Sequence, residues 1–148
     1  MSGVAYGTVQ IGGKTYIQRE QDFPLKVTTA GNQTLVNSTL VLPGTADFWL
    51  KALEREVLVA GVADSTKRFL FRLGNSDGST WYQSGGVGGT TDLVVDTLMF
   101  GNGQFPYVLD PYIFYGASGA IKLQYQPLTN DVYDIYFMFR GAYLIPTS

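Results

Sequence analysis

Tyr133-Asp134-Ile135-Tyr136-Phe137-Met138-Phe139-Arg140 decides the fold class. Successive side chains of an extended chain point to opposite faces. Tyr133, Ile135, Phe137 and Phe139 therefore share one side, and Val132, Asp134, Tyr136, Met138 and Arg140 the other. Both faces are rather apolar. That predicts a central strand, covered on one side by a second sheet and on the other by a loop or a partner. Gly141 is expected to break the run before Tyr143, Leu144 and Ile145.

The same alternation extends outward from this stretch. Ile121, Leu123 and Tyr125 alternate with Lys122, Gln124 and Gln126, and Phe69, Phe71 and Leu73 with Arg68, Leu70 and Arg72. Asn75-Ser76-Asp77-Gly78 follows, and Asp-Gly is a strong hairpin signal, so Ser79 to Tyr82 should return antiparallel. Further strands are expected at Ala5 to Ile11, Thr15 to Gln18, Leu25 to Thr28, Leu35 to Leu42, Leu93 to Phe100 and Ile113 to Tyr115. Ala46 to Ala60 is ambiguous. Phe48, Trp49, Ala52, Leu53 and Glu56 fit helical spacing with Thr45 as cap, whereas Phe48, Leu50 and Ala52 fit a strand leading to Val57-Leu58-Val59. The β surroundings favour the strand. Gly85 to Gly89 and Gly101-Asn102-Gly103 read as loops. Many short strands with regular turn signals point to an all-β sandwich or barrel, of which an antiparallel β-sandwich is the expectation taken forward. The 148 residues form one domain by length, with residues 1–25 a candidate extended arm.

Composition acts mainly by exclusion. The chain has no histidine and no cysteine, while aromatic residues are 14% of it. Histidine is the usual general base near neutral pH and the commonest metal ligand; cysteine is the other ready nucleophile and a soft-metal ligand. A non-enzyme without cofactor or metal is therefore expected, and a disulfide scaffold is excluded. Charged residues are only 15%, against about 25% in typical soluble domains. The net charge is −2 with no basic run, so no nucleic-acid partner is expected. Met1 to Gly13 has no basic and apolar leader pattern, and no apolar stretch is long enough for a membrane helix, so neither secretion nor a membrane is expected.

Short motifs resolve to turns. Gly12-Gly13-Lys14-Thr15 resembles the end of a phosphate loop, but Thr8 occupies the position of the required first glycine, and a tight hairpin between Ile11 and Tyr16 explains it better. Asn75, Asp77 and Ser79 resemble half a calcium loop without its bidentate glutamate. Asp131 with Asp134, or Asp92 with Asp96, are the carboxylate pairs a glycosidase would need, but no cleft pattern surrounds them. Aromatics carry more. Trp49, Trp81, Tyr82, Tyr107, Tyr112 and Tyr115 are the candidate contact residues, for a protein interface or for stacking on sugar rings, with filling the core as the alternative.

The carboxy-terminal half resembles small jelly-roll virion proteins of tailed bacteriophages. The likeness lies in Leu98-Met99-Phe100-Gly101-Asn102-Gly103-Gln104-Phe105-Pro106-Tyr107-Val108-Leu109, in the strands Tyr112 to Tyr115 and Ala120 to Gln126, and in the closing strand Val132 to Gly141. It covers about a third of the chain and carries no chemical signature. The resemblance implies a jelly-roll sandwich made in the host cytoplasm and resident in the virion, as a capsid decoration (cement) subunit or a head–tail or collar accessory protein. Its implied partners are the major capsid or another virion protein and copies of itself. The alternative class is a carbohydrate-binding module, for which a glycan is the ligand. An extended segment such as Glu20 to Leu25, or the first dozen residues, could add a strand to a neighbour's sheet.

Overall fold

The computed structural model describes residues 5–44, 46–64, 66–77, 81–82, 94–95 and 107–147. The described residues form strands β1 (Ala5–Ile11), β2 (Lys14–Thr28), β3 (Val36–Val41), β4 (Asp47–Val59), β5 (Val62–Ala63), β6 (Phe69–Gly74), β7 (Trp81–Tyr82), β8 (Val94–Val95), β9 (Tyr107–Tyr115), β10 (Ala120–Pro127) and β11 (Asp134–Pro146). One sheet has the order β1-β2-β11-β4-β5 with β9 also on β4; the other has β3-β10-β6-β7 with β8 also on β6. Every pairing among the described residues is antiparallel.

The pairings nest. β2 pairs β11, β3 pairs β10, β4 pairs β9, and β6 pairs β7 and β8. Successive nested pairs fall in alternate sheets, which is the winding of a jelly roll. The fold is an all-β antiparallel sandwich of that type.

Alternation builds the core. Ile135, Phe137 and Phe139 of β11 are buried, opposite Val57 and Leu53 of β4 and Phe23 of β2. They meet Phe69, Phe71, Leu73, Ile121, Leu123 and Tyr125 from the shorter sheet. Phe137 lies 5.8 Å from Phe69 and 5.5 Å from Phe71, ring centre to ring centre. Each such aromatic pair adds about 0.5–1.5 kcal/mol to the area it buries. The ambiguous segment is the strand β4, and Gly12-Gly13 makes a two-residue hairpin, both glycines at positive φ (59° and 80°) as a type I′ turn requires. β7 returns antiparallel on β6, with Tyr82 opposite Leu73; positions 78–80 of that turn lie outside the described residues, as do both glycine-rich loops and most of Leu93 to Phe100.

Two expectations are corrected by the strand lengths. β11 does not stop at Gly141; it runs on to Pro146. Arg140 pairs with Ala52 and Gly141 with Leu50, so Lys51 is an extra residue, a β-bulge. A side chain at 141 would collide with the Trp49 carbonyl and the Phe48 ring. Glycine there lets two strands approach closely instead of ending one. Likewise, Thr15 to Gln18 and Leu25 to Thr28 are parts of one 15-residue strand. Of residues 1–25, the candidate arm, residues 5–25 include β1 and most of β2, and Glu20 to Leu25 pair with β11. Pro24 sits where β2 has passed the end of β1 and has one partner strand among those described, a position that tolerates a missing N–H donor.

Three tyrosine hydroxyls tie the layers together. Tyr115 of β9 donates to the Gly74 carbonyl at the end of β6 (2.9 Å), and Tyr133 donates to the Arg68 carbonyl just before its start (3.1 Å). Tyr143 of β11 donates to the Pro43 carbonyl beyond β3.

Candidate functional site

The Lys51 bulge organises the outer face of the longer sheet. Phe48 pairs with Tyr115 and Leu50 with Ile113, and all four are buried, so these positions face inward. Trp49 pairs with Phe114, and both therefore face outward. On β9 the outward side carries a stripe of exposed apolar side chains, Val108, Tyr112 and Phe114 at 60%, 42% and 48%, with Asp110 between the first two in sequence. Trp49 and Tyr112 meet edge to face, centroids 5.6 Å apart at 67°. The bulged Lys51 reaches over both rings, its Nζ 6.0 Å from Trp49 and 5.3 Å from Tyr112. Lys51 Nζ also donates to Gln18 Oε1 on β2 at 2.6 Å. Burial pulls the Lys51 ammonium below the usual lysine range, with the nearby Glu20 carboxylate acting against that shift. Cation–π contacts of this kind offset part of such desolvation.

A charged border lies beside the rings. Arg140 Nε is 2.7 Å from Glu54 Oε1, whose side chain is 8% exposed, and Arg140 Nη1 is 3.7 Å from Asp22 Oδ2. The close Arg140–Glu54 pair is the largest influence holding the Arg140 guanidinium charged, above its ordinary range. Burial raises the Asp22 carboxyl above the ordinary range, opposed by the Arg140 guanidinium. Farther along, Lys26 lies 5.5 Å from the Tyr136 ring centre and 3.9 Å from Asp134.

Of the six aromatic candidates, the fold brings Trp49 and Tyr112 together. Tyr115 is corrected: it is 1% exposed and belongs to the core, because strand alternation turns it inward with Ile113. Tyr107 begins β9 and Trp81 with Tyr82 make β7, but their side chains lie outside what is described. Lys51, Gln18 and Phe114 complete the patch and were not singled out by sequence. Phe114 was discernible as the alternate of Tyr115; Lys51 and Gln18 were not, since the bulge and the β2–β11–β4 order bring them together.

The other motifs separate. Asp131 is held by Lys67 at 2.7 Å, which keeps its carboxyl below the usual range. Asp134 accepts a hydrogen bond from Thr28 Oγ1 at 2.6 Å. Asp92, Asp96 and Ser79 lie outside the described residues. Among the described residues no group of three His, Cys, Asp or Glu could hold a metal ion, and no helix is long and apolar enough to cross a membrane.

Chemically, the patch offers ring faces and edges, an ammonium and a charged border. Protein interfaces are built from the same kinds of group, aromatic anchors with polar groups around them. Comparison with protein-family models, with curated proteins and with solved structures gives no match to this chain.

Proposed function

We propose that the chain is a non-enzymatic structural subunit of a bacteriophage particle, a capsid decoration (cement) protein that reinforces the shell through protein–protein contacts. The observation that carries this reading is the β9 stripe, with Val108, Tyr112 and Phe114 at 60%, 42% and 48% exposure beside the Trp49–Lys51 cluster. Within the described residues β9 pairs only with β4, so the stripe lies along a sheet edge. Exposed apolar edges promote association unless they are covered. The composition supports the same role, since interfaces favour Tyr, Trp, Phe and Arg and disfavour Lys and Glu. Jelly rolls recur in viral capsid and lectin domains, but a fold does not by itself assign a function. The likeness of the carboxy-terminal half to small virion proteins supplies the particle. Copies on a symmetric lattice gain avidity without strong single contacts.

The test is mass spectrometry and cryo-electron microscopy of purified particles from the phage that encodes the chain. The expected result is stoichiometric density on the outer shell, lost with a Tyr112→Ser/Phe114→Ser variant that still folds. An intact particle lacking the polypeptide would overturn the reading; density at the head–tail joint would reassign it to an accessory position.

Glycan binding is a second reading, favoured by the Lys51 ammonium and Gln18 amide beside two amphipathic rings. It predicts glycan-array signals that Trp49→Ala and Tyr112→Ala abolish with fold and assembly intact.

A further inference from the structure

The longer sheet outruns the shorter one. β2, β4 and β11 have 15, 13 and 13 residues, whereas β3, β6 and β10 have 6, 6 and 8. Tyr143 and Ile145 lie on the inner side of β11, opposite Arg19 and Ile17 of β2. Pro43 and Gly44, on the way from β3 to β4, pass over the Tyr143 ring, and Gly44 does so at φ 99° with the Tyr143 hydroxyl in van der Waals reach of its missing Cβ. Here the sandwich leaves an open groove of about 450 Å³, within the range of natural ligand sites. Pro43, Gly44 and Ala46 form one wall, Ile145 and Pro146 another, and Tyr143 and Arg19 complete it.

Its polar groups are already used, with one exception. The Tyr143 hydroxyl donates to the Pro43 carbonyl, and the Gly44 carbonyl accepts from Ser118 Oγ at 3.1 Å. Arg19 is exposed, its guanidinium carbon 5.7 Å from the Tyr143 ring centre, and it has no ion pair among the described residues. Neighbouring Glu20 is on the opposite face of β2 by alternation and acts on Lys51 and Arg140. An apolar slot with one unmatched guanidinium is complementary to a carboxylate beside an apolar group. Arginine recognises carboxylates through paired N–H donors, and stacking on a ring fixes its plane.

We propose that this groove docks a segment of a partner protein in which an Asp or Glu adjoins a large apolar side chain. The carboxylate pairs with Arg19 and the apolar side chain lies against Pro43, Tyr143 and Ile145. The site is on the inner face of the overhang, apart from the Lys51 patch, and does not depend on the virion reading.

The test is NMR titration of the full ¹⁵N-labelled chain with acetyl-Leu-Glu-amide, acetyl-Leu-Gln-amide and octanoate. The glutamate peptide should shift the Arg19, Gly44 and Ile145 amides and bind about tenfold more tightly than the glutamine peptide, as expected for a charge-assisted pair. Arg19→Gln should remove that preference, and Arg19→Lys should restore it only in part. Equal binding of the two peptides, or no shift at these amides, would overturn the proposal without any variant. Octanoate binding as tightly as the glutamate peptide would also overturn it, because the ligand would then be a free amphiphile.

Discussion

Gly141 and Asp22 illustrate how single side chains govern this molecule. A methyl group at 141 meets the Trp49 carbonyl and the Phe48 ring, neither of which can yield without moving β4. Gly141→Ala should therefore cost about 3 kcal/mol in urea unfolding, at the upper end of overpacking effects. Gly116→Ala, which adds its methyl to open space, should stay within about 0.5 kcal/mol. Asp22 works the other way. Its carboxyl is raised by burial, so the folded state disfavours the charge and loses stability when Asp22 ionises. That loss is fully present above the folded pKa and fades as pH falls through it. Asp22→Asn should raise the melting temperature near pH 7, and the gain should vanish below about pH 3, where the carboxyl is protonated folded or unfolded. A thermal-melt series across pH checks both limits. Neither residue announces itself in the sequence. A glycine between apolar runs reads as a break, and only the facing strand reveals that it permits contact.

At the scale of elements, the hydroxyl contacts of Tyr115 and Tyr133 hold β6 at both ends, through the Gly74 and Arg68 carbonyls. Tyr115→Phe leaves a buried carbonyl without its donor and should cost about 1–2 kcal/mol. Tyr133→Phe should cost somewhat less, since its bond is only part-buried. Circular-dichroism melts of the single and double variants measure both. Strand periodicity was legible where one parity is polar, as in β10, whose residues alternate strictly between half-buried and buried. It was silent in β9, where Tyr112 and Phe114 are as apolar as Ile113 and Tyr115. Either parity could have faced the core, so Tyr115 stood among the contact candidates with the core as its alternative. The candidate site shares this limit, because a bulge at Lys51 shifts the alternation of β4 without any local signal.

For the molecule as a whole, the nested winding has a kinetic cost. β2 pairs with β11 from the far end of the chain, so most of the polypeptide must be looped before that ladder closes. Refolding should fall in the slow range of non-local β proteins, milliseconds to seconds, read by stopped-flow tryptophan fluorescence. A microsecond phase accounting for the whole signal would contradict it. The sandwich itself was legible from alternation and turn chemistry, because those rules are local. Which aromatics gather at one edge was not, since register and strand order decide it. The ladder between the two long outer segments of sequence also ends with Tyr16 facing Pro146. A load hung between those two residues meets the rungs one after another, as a zipper does, and opens the structure with little force. A load applied broadside is instead shared by many rungs at once, so the same ladder resists it far better.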